Sequence, residues 1–164
     1  MSEHARIIAA LVEGNSLRPT SRPCGVAFNS VLKLVPEIGN ACADYHDAHV
    51  RRVGTKRIQC YEIWQFVGAR QKNATPEQKD EGWGDVWTWT AIDADTKLCI
   101  SYMVGGRDSG WALDFMWDFR QRVIGRPQIT TDAHKPYKSA IEIAFGDNVD
   151  YPQLHKIYGA ASES

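Results

Sequence analysis

Three carboxylates and one histidine in the second half of the chain have spacings that could support metal or phosphate chemistry. Glu62 lies in the alternating stretch RIQCYEIWQFVGA, Asp93 ends the stretch VWTWTAID, and Asp132 follows the short run QITT. Carboxylate oxygens are the ligands that Mg²⁺ prefers in proteins. Asp93 either reaches such a site or only forms the turn in which it lies. His134, two residues after Asp132, either contacts a phosphate or caps the following helix.

Tyr61 stands immediately before Glu62 on the same predicted strand. Successive side chains of a strand point to opposite faces, so Glu62 cannot replace an acid at position 61. A phenol has an ordinary pKa of about 10 and is neutral at pH 7. It is also a poor ligand for hard cations. Chemistry that needs a carboxylate on the face of Tyr61 is therefore predicted to be lost.

The second half of the chain has the pattern of a mixed domain, which we expect over 58–164. The first strand is followed by VWTWTAIDADT and KLCISYMVGG, two strands joined by a turn at 93–96. A helix capped by Asp108 or Ser109, the strand QITT, a helix that begins near Pro136 and a short last strand come next. Three antiparallel strands followed by helix, strand, helix and strand indicate an α+β or α/β fold with a ribonuclease H-like layout.

The first half predicts a small helical domain over 1–50. An apolar stripe ending at Gly14 predicts one helix, and Ser16 can cap a second. Residues 23–25 predict a turn before a third helix that begins near Val26 and buries the apolar residues Val31, Leu32, Leu34 and Val35. Two short helices, a turn and a longer helix are the order of a helix-turn-helix domain, although other small bundles share it. Pro36 is expected to kink the third helix, and the prolines at 19, 23 and 36 leave open whether the domain still binds DNA.

Charge divides the chain into a basic front part and an acidic remainder. Residues 1–57 carry eight Lys/Arg and five Asp/Glu, whereas 58–164 carry eleven and fifteen. The segment RRVGTKR at 51–57 is either a solvated linker or a hinge that contacts phosphates. A helix from Val26 to Lys33 is expected in the major groove, with Asn29 and Ser30 nearest the base edges and Lys33 as a further DNA-binding residue. The candidates for phosphate contacts are Arg51, Arg52, Lys56 and Arg57.

Composition favours an ordinary protein of the cytoplasm. The four cysteines are far apart and form no C-x-x-C pair, which is typical of free thiols. No apolar run approaches the ~20 residues of a membrane-spanning helix. The start of the chain lacks the layout of a secretory signal.

The motifs RIQCYEIWQFVGARQKN, EGWGDVWTWTAIDADTKL, VGGRD and ITTDAHKPY resemble those of DDE-type bacterial insertion-sequence transposases of the InsB-like group. The stretch EGNSLRPTSRPCGVAFNSVLKL is similar to the helix-turn-helix that precedes the catalytic domain of that family. The resemblance covers nearly the whole chain. It implies DNA transposition by phosphoryl transfer with two Mg²⁺ or Mn²⁺ ions, acting on the terminal inverted repeats of an element.

The resemblance also assigns roles to individual residues. The first catalytic acid of the family opens an Asp-Glu-x-Trp motif, which reads Tyr61-Glu62-Ile63-Trp64 here, and the second corresponds to Asp132. The third is a Glu on a helix further downstream, and the sequence ends 32 residues after Asp132 without reaching it. We therefore expect a truncated chain that is inactive alone and binds no metal productively, with Glu62, Asp93 and His134 as candidate supporting residues.

Three interpretations follow from this resemblance. The chain is a transposase relic, a DNA-binding regulator that inhibits the intact transposase, or part of a longer frame. It is expected to bind DNA and either to form a homodimer or to associate with an intact transposase. Because the family's final helix covers one face of the sheet, its loss predicts unusual exposure for some of Ile58, Ile63, Val86 and Trp87.

Overall fold

The computed structural model describes residues 2–132 and 134–152 of the chain. It divides into two compact units, which we call the N-terminal unit (1–49) and the second unit (50–164). Six helices and two sheets lie within the described residues, so the predicted mixture of helix and strand is confirmed. None of the helices described is both long and apolar enough to cross a membrane.

The N-terminal unit contains three helices: α1 (Glu3–Val12), α2 (Leu17–Cys24) and α3 (Phe28–His49). Ser2 caps α1 by accepting a hydrogen bond from the N–H of Ala5. The three helices share a small apolar core, made of Ile7, Cys24, Val31 and Leu34. This core holds α2 and the first half of α3 together.

Two sequence expectations for these helices were wrong in detail. The predicted turn at 23–25 is only partly present, because α2 continues through Pro23 and ends at Gly25, whose φ of 68° suits a glycine. Proline's fixed φ is itself helical, so Pro23 can lie in the last turn. Leu32, expected in the core, is exposed because the buried face of α3 is set by Val31 and Leu34. The helix continues through Pro36 to His49.

The second unit is built on two sheets and three helices. Its strands are β1 (Val53–Gly54), β2 (Arg57–Val67), β3 (Gly84–Asp93), β4 (Cys99–Gly105), β5 (Val123–Ile124) and β6 (Gln128–Thr131). Its helices are α4 (Pro76–Asp80), α5 (Ser109–Arg122) and α6 (Pro136–Phe145). The main sheet has the order β4-β3-β2-β6, with β2, β3 and β4 antiparallel and β6 parallel to β2.

The basic segment 51–57 belongs to the second unit rather than forming a separate linker. Val53 and Gly54 make β1, which pairs in parallel with β5. Thr55 is buried, and Arg57 begins β2. The two residue pairs between β1 and β5 and the buried side chain of Thr55 anchor this stretch to the second unit.

Helices α5 and α6 cover one face of the main sheet, which we call the covered face. The core between them contains Ile58, Cys60, Trp89, Ala91, Ile100, Phe115, Met116, Phe119, Ile129, Tyr137, Ile141 and Phe145. The other face, which we call the open face, carries exposed apolar side chains on β2 and β4, namely Tyr61, Ile63, Tyr102 and Val104. Within the described residues of the second unit, no helix buries them.

The expectation of unusual exposure for some of four apolar residues is met by one of them, Ile63. Ile63 is exposed because it lies on the open face. Ile58 is buried because it lies on the covered face, level with Ile129 of β6. Val86 and Trp87 are half-buried. Alternation along a strand separates two faces, but it does not say which one the helices cover.

Candidate functional site

Asp132 lies at the end of β6, beside the middle of β2. The last paired residues of these parallel strands are Cys60 and Thr131, so Asp132 follows at the level of Tyr61. Asp132 is half-buried. One of its carboxylate oxygens, Oδ1, accepts a hydrogen bond of 3.0 Å from the backbone N–H of His134. This bond fixes the carboxylate within its own loop.

Tyr61 lies on the open face, one residue after the last β2 residue that pairs with β6. It pairs with Thr90 of β3, and Thr90 pairs in turn with Tyr102 of β4, so the three residues form one row across the sheet. The side chain of Tyr61 is 41% exposed. An accessible phenol therefore stands where the resemblance implies an acid.

Glu62 faces the opposite way, into the covered face. It pairs with Trp89, which is fully buried, and its own side chain is only 1% exposed. Its Oε2 lies 3.3 Å from Nη2 of Arg107, whereas its Oε1 is buried without a hydrogen-bond partner. The guanidinium of Arg107 also lies 4.3 Å above the ring of Trp87.

Tyr137 of α6 lies beneath Glu62, and its hydroxyl is likewise buried without a hydrogen-bond partner. Burial raises the pKa of this phenol well above its usual value, and the nearby Cys60, Glu62 and Asp132 raise it further. Tyr137 is thus a neutral O–H donor facing a carboxylate. Burial and the charge of Glu62 likewise raise the pKa of the Cys60 thiol, which makes Cys60 an unreactive core residue.

His134 joins the loop of Asp132 to the loop that carries Arg107. Its Nε2–H donates to the carbonyl oxygen of Arg107 at 3.2 Å, because a carbonyl can only accept. Its ring packs 6.0 Å from that of Trp89 and 6.1 Å from that of Tyr137. The N-cap position of α6 is Lys135, so capping is not the role of the His134 side chain.

Asp93 is placed as a turn former rather than as part of this site. Its Oδ1 accepts hydrogen bonds from the N–H groups of Asp95 and Thr96 at 2.8 and 3.0 Å. The neighbouring Thr55 hydroxyl and these N–H groups lower the pKa of Asp93. Asp93 pairs with Ile58, three residues before Tyr61 on β2. The hairpin accounts for its conformation and its burial.

The residues around Asp132 do not fit a centre for two divalent cations. The β2 residue that follows the last pair with β6 is Tyr61, which carries no carboxylate, and the carboxylate of Glu62 points into the other face and is paired with Arg107. Within 2–132 and 134–152, no group of three or more His, Cys, Asp or Glu residues is arranged to hold a metal ion. Two cations repel each other strongly unless several carboxylates offset their charge.

The loop that carries Arg107 is held by close packing on two glycines. A Cβ built on Gly105 would lie 2.3 Å from the ring of Trp111, and one on Gly106 would lie 2.7 Å from it. The carbonyl of Gly106 accepts a hydrogen bond of 2.9 Å from Nε1–H of Trp89. Asp108 then caps α5 by accepting from the N–H of Gly110 and of Trp111.

We expect Gly105→Ala to lower the free energy of unfolding of the second unit by about 1–3 kcal/mol, because the new methyl group must displace the Trp111 ring. Gly54→Ala is the matched control, since a Cβ there meets only Ile124, at 4.0 Å. Its effect should stay within about 0.5 kcal/mol. Urea denaturation measures both, and equal losses would contradict the packing described here.

The candidate DNA-binding residues fall into two groups. Asn29, Ser30 and Lys33 are all exposed near the start of α3. Among the basic residues of 51–57, Arg52 and Lys56 are exposed, whereas Arg51 is half-buried and its charge helps to lower the pKa of Asp118.

Arg57 forms an ion pair with Asp95 across the hairpin. This pair commits its guanidinium to a carboxylate of the same unit. Arg52 and Lys56 are therefore better placed than Arg57 to contact phosphates.

No protein-family model matches this chain. A search of curated proteins finds no match either.

Sequence reasoning predicted buried positions for Tyr137 and, as the more frequent role of such tryptophans, for Trp89, but it missed that these residues and Arg107 surround Glu62 and His134. The three come from α6, β3 and the β4–α5 loop, and only the fold brings them together. Their motifs, VGGRD and HKPY, were visible, but nothing in their spacing pairs an arginine with a glutamate 45 positions away. The one signal in the sequence was a glutamate within a strand of mostly apolar residues, since such a charge requires a partner when it is buried.

Proposed function

We propose that this chain is a transposase-type protein that binds DNA through its N-terminal unit and lacks the ability to cut DNA by itself. The second unit is a ribonuclease H-like domain in this proposal. Its partner is the terminal inverted repeat of an insertion element. The absence of an acid at position 61 accounts for the lack of cutting.

The sheet supports the ribonuclease H-like assignment. Three antiparallel strands in the order β4-β3-β2 are extended by β6, which is parallel to β2. Gln128 of β6 also bridges in parallel to Asp150, which adds a short fifth position beyond β6. A helix separates β4 from β6, and another separates β6 from Asp150. This is the layout that the sequence pattern suggested.

One observation carries the functional part of the proposal: the parallel pairing of β2 and β6 ends at Cys60 and Thr131, and the next residue of each strand is Tyr61 and Asp132. The end of β6 and the middle of β2 are the two points at which this layout places its first two acids. The chain presents a carboxylate at one of these points and a phenol at the other. We infer an acid-dependent site whose first ligand has been replaced.

DNA binding without cutting also favours the regulatory interpretation. The candidate DNA-binding residues of α3, Asn29, Ser30 and Lys33, are all exposed, and the α1–α2–α3 arrangement suits a helix that enters a groove. Such a protein would occupy the ends of an element and compete there with an intact transposase. This role needs neither an acid at position 61 nor a metal ion.

We expect the double variant Arg52→Gln/Lys56→Gln to weaken binding to a duplex that carries the element's terminal inverted repeat. Each lost phosphate contact should reduce the slope of log K against log salt by about 0.9, so the slope should fall by about 2. Fluorescence anisotropy at four salt concentrations measures both affinity and slope.

Lys135→Gln/Lys138→Gln is the matched control, because both lysines are exposed in the second unit and the net charge changes equally. The control should leave the slope unchanged. Equal slopes for wild type and Arg52→Gln/Lys56→Gln would exclude this segment from the DNA interface. Asn29→Ala should instead reduce the preference for the repeat over an unrelated duplex, which tests α3 separately.

A further inference from the structure

A continuous chain of contacts leads from Glu62 to the carboxylate of Asp132. Glu62 Oε2 accepts from Nη2 of Arg107 at 3.3 Å, and the carbonyl of Arg107 accepts from Nε2–H of His134 at 3.2 Å. The backbone N–H of His134 then donates to Oδ1 of Asp132 at 3.0 Å. Strand β2, the loop between β4 and α5, and the loop between β6 and α6 are thus joined by these hydrogen bonds.

This chain of contacts begins at Glu62, because a buried carboxylate needs a cationic partner. A carboxylate whose side chain is 1% exposed is costly unless it is paired, and Arg107 is the cation beside it. The position of the Arg107 guanidinium is further restricted by the Trp87 ring beneath it. The guanidinium of Arg107 is thus contacted on two sides while its side chain stays 39% exposed, and its backbone carbonyl accepts from His134.

His134 transmits this restriction because it is packed on two sides. Its ring lies against Trp89 and Tyr137, both fully buried aromatic residues. With the ring fixed and Nε2–H bonded to Arg107, the backbone N–H of His134 has a set direction toward Asp132. The carboxylate is then oriented by the fold rather than by solvent.

We propose that Glu62 is a positioning residue, which acts through Arg107 and His134 to fix the orientation of the Asp132 carboxylate. This proposal rests on the proposed function, because an oriented Asp132 matters only if it belongs to a phosphoryl-transfer site. It assigns Glu62 a role different from that of a substitute acid. The residue lies on the covered face, and the ligand position lies on the open face.

Two kinds of variant separate this role from simple electrostatics. Glu62→Gln removes a negative charge near Asp132, and Arg107→Gln removes a positive one. If charge alone mattered, Glu62→Gln would weaken the binding of a cation at the site and Arg107→Gln would strengthen it. If Glu62 acts by positioning Asp132, both variants would weaken that binding. The contrast in sign does not depend on how large the electrostatic effect is.

The first measurement is hydrogen exchange of the His134 backbone amide by NMR in the full chain. Both variants should speed this exchange by about tenfold relative to the amide of Ile129, which reports the sheet itself. The controls are Glu142→Gln and Arg120→Gln. Glu142 is exposed on α6, and Arg120 lies over the Phe145 ring at 5.5 Å. Both controls should leave the exchange ratio of His134 to Ile129 unchanged.

The second measurement is Mn²⁺ binding in a Tyr61→Asp background, followed by Mn²⁺ electron paramagnetic resonance. Both Glu62→Gln and Arg107→Gln should weaken that binding by about tenfold. Unchanged exchange at His134 in both variants would overturn the positioning role. If exchange responds but Tyr61→Asp binds no Mn²⁺, the chain of contacts stands and the proposed function fails. Should Glu62→Gln fail to fold, Arg107→Gln alone still decides, because stronger Mn²⁺ binding by it would refute positioning.

Discussion

Trp89→Ala is expected to lower the free energy of unfolding of the second unit by about 3–5 kcal/mol. Trp89 is fully buried, and its ring packs 5.7 Å from that of Phe115 and 5.4 Å from that of Tyr137. It also donates from Nε1–H to the carbonyl of Gly106. The substitution therefore opens a large cavity and removes the donor to the half-buried carbonyl of Gly106.

Trp117→Ala is the matched control, because Trp117 lies on α5 of the same unit and is 43% exposed. Its removal should cost no more than about 1 kcal/mol. Chemical denaturation followed by far-ultraviolet circular dichroism reports both variants without relying on tryptophan emission. A loss of equal size at the two positions would mean that the core is not centred on Trp89.

Sequence patterns predicted the strands of the second unit because their signals are local. Alternation over RIQCYEIWQFVGA and the turn residues at 93–96 are properties of neighbouring residues, and both the β2 strand and the β3–β4 hairpin are present. The choice of the covered face is not local. Ile58 and Ile63 are both strand isoleucines, yet one is buried and the other exposed, because α5 and α6 pack on one side only.

The helices of the N-terminal unit show a similar division between local and tertiary information. The stop at Gly25 could be predicted, since a glycine readily adopts the left-handed conformation that ends a helix. The helical state of Pro23 could not, because the residue suits either a turn or a last helical turn. Packing against Ile7 and Cys24 selects the face of α3 that is buried, and Leu32 lies outside it.

Of the candidate site, the sequence could predict the positions of the acidic residues but not the contacts around them. Asp132 and the phenol at position 61 follow from motif order, whereas the contacts of Glu62 depend on a loop 45 residues later in the chain. Neighbouring positions on one strand thus serve opposite faces. The side chain of residue 61 lies on the open face. The side chain of residue 62 lies on the covered face and contacts Arg107, whose carbonyl accepts from His134 in the loop of Asp132. The two adjacent letters of one motif have separate physical roles.

Tyr61→Asp is expected to create Mn²⁺ binding at least about tenfold tighter than that of the unchanged chain. The new carboxylate would stand level with Asp132 on the adjacent parallel strand, and two carboxylates give a divalent cation the oxygen ligands that a phenol does not. Adding Asp132→Asn should abolish this gain. Isothermal titration calorimetry of the three proteins measures it.

Tyr102→Asp is the matched control, because Tyr102 lies in the same row of the open face and is 44% exposed, close to the 41% of Tyr61. It adds the same charge two strands away from β2 and should not produce binding. Neither variant should cut DNA, since two carboxylates cannot hold two cations against their mutual repulsion. Metal-dependent cleavage by the unchanged chain that Asp132→Asn abolishes would show that another acid completes the site. In that case Tyr61 would not be the residue that disables the site.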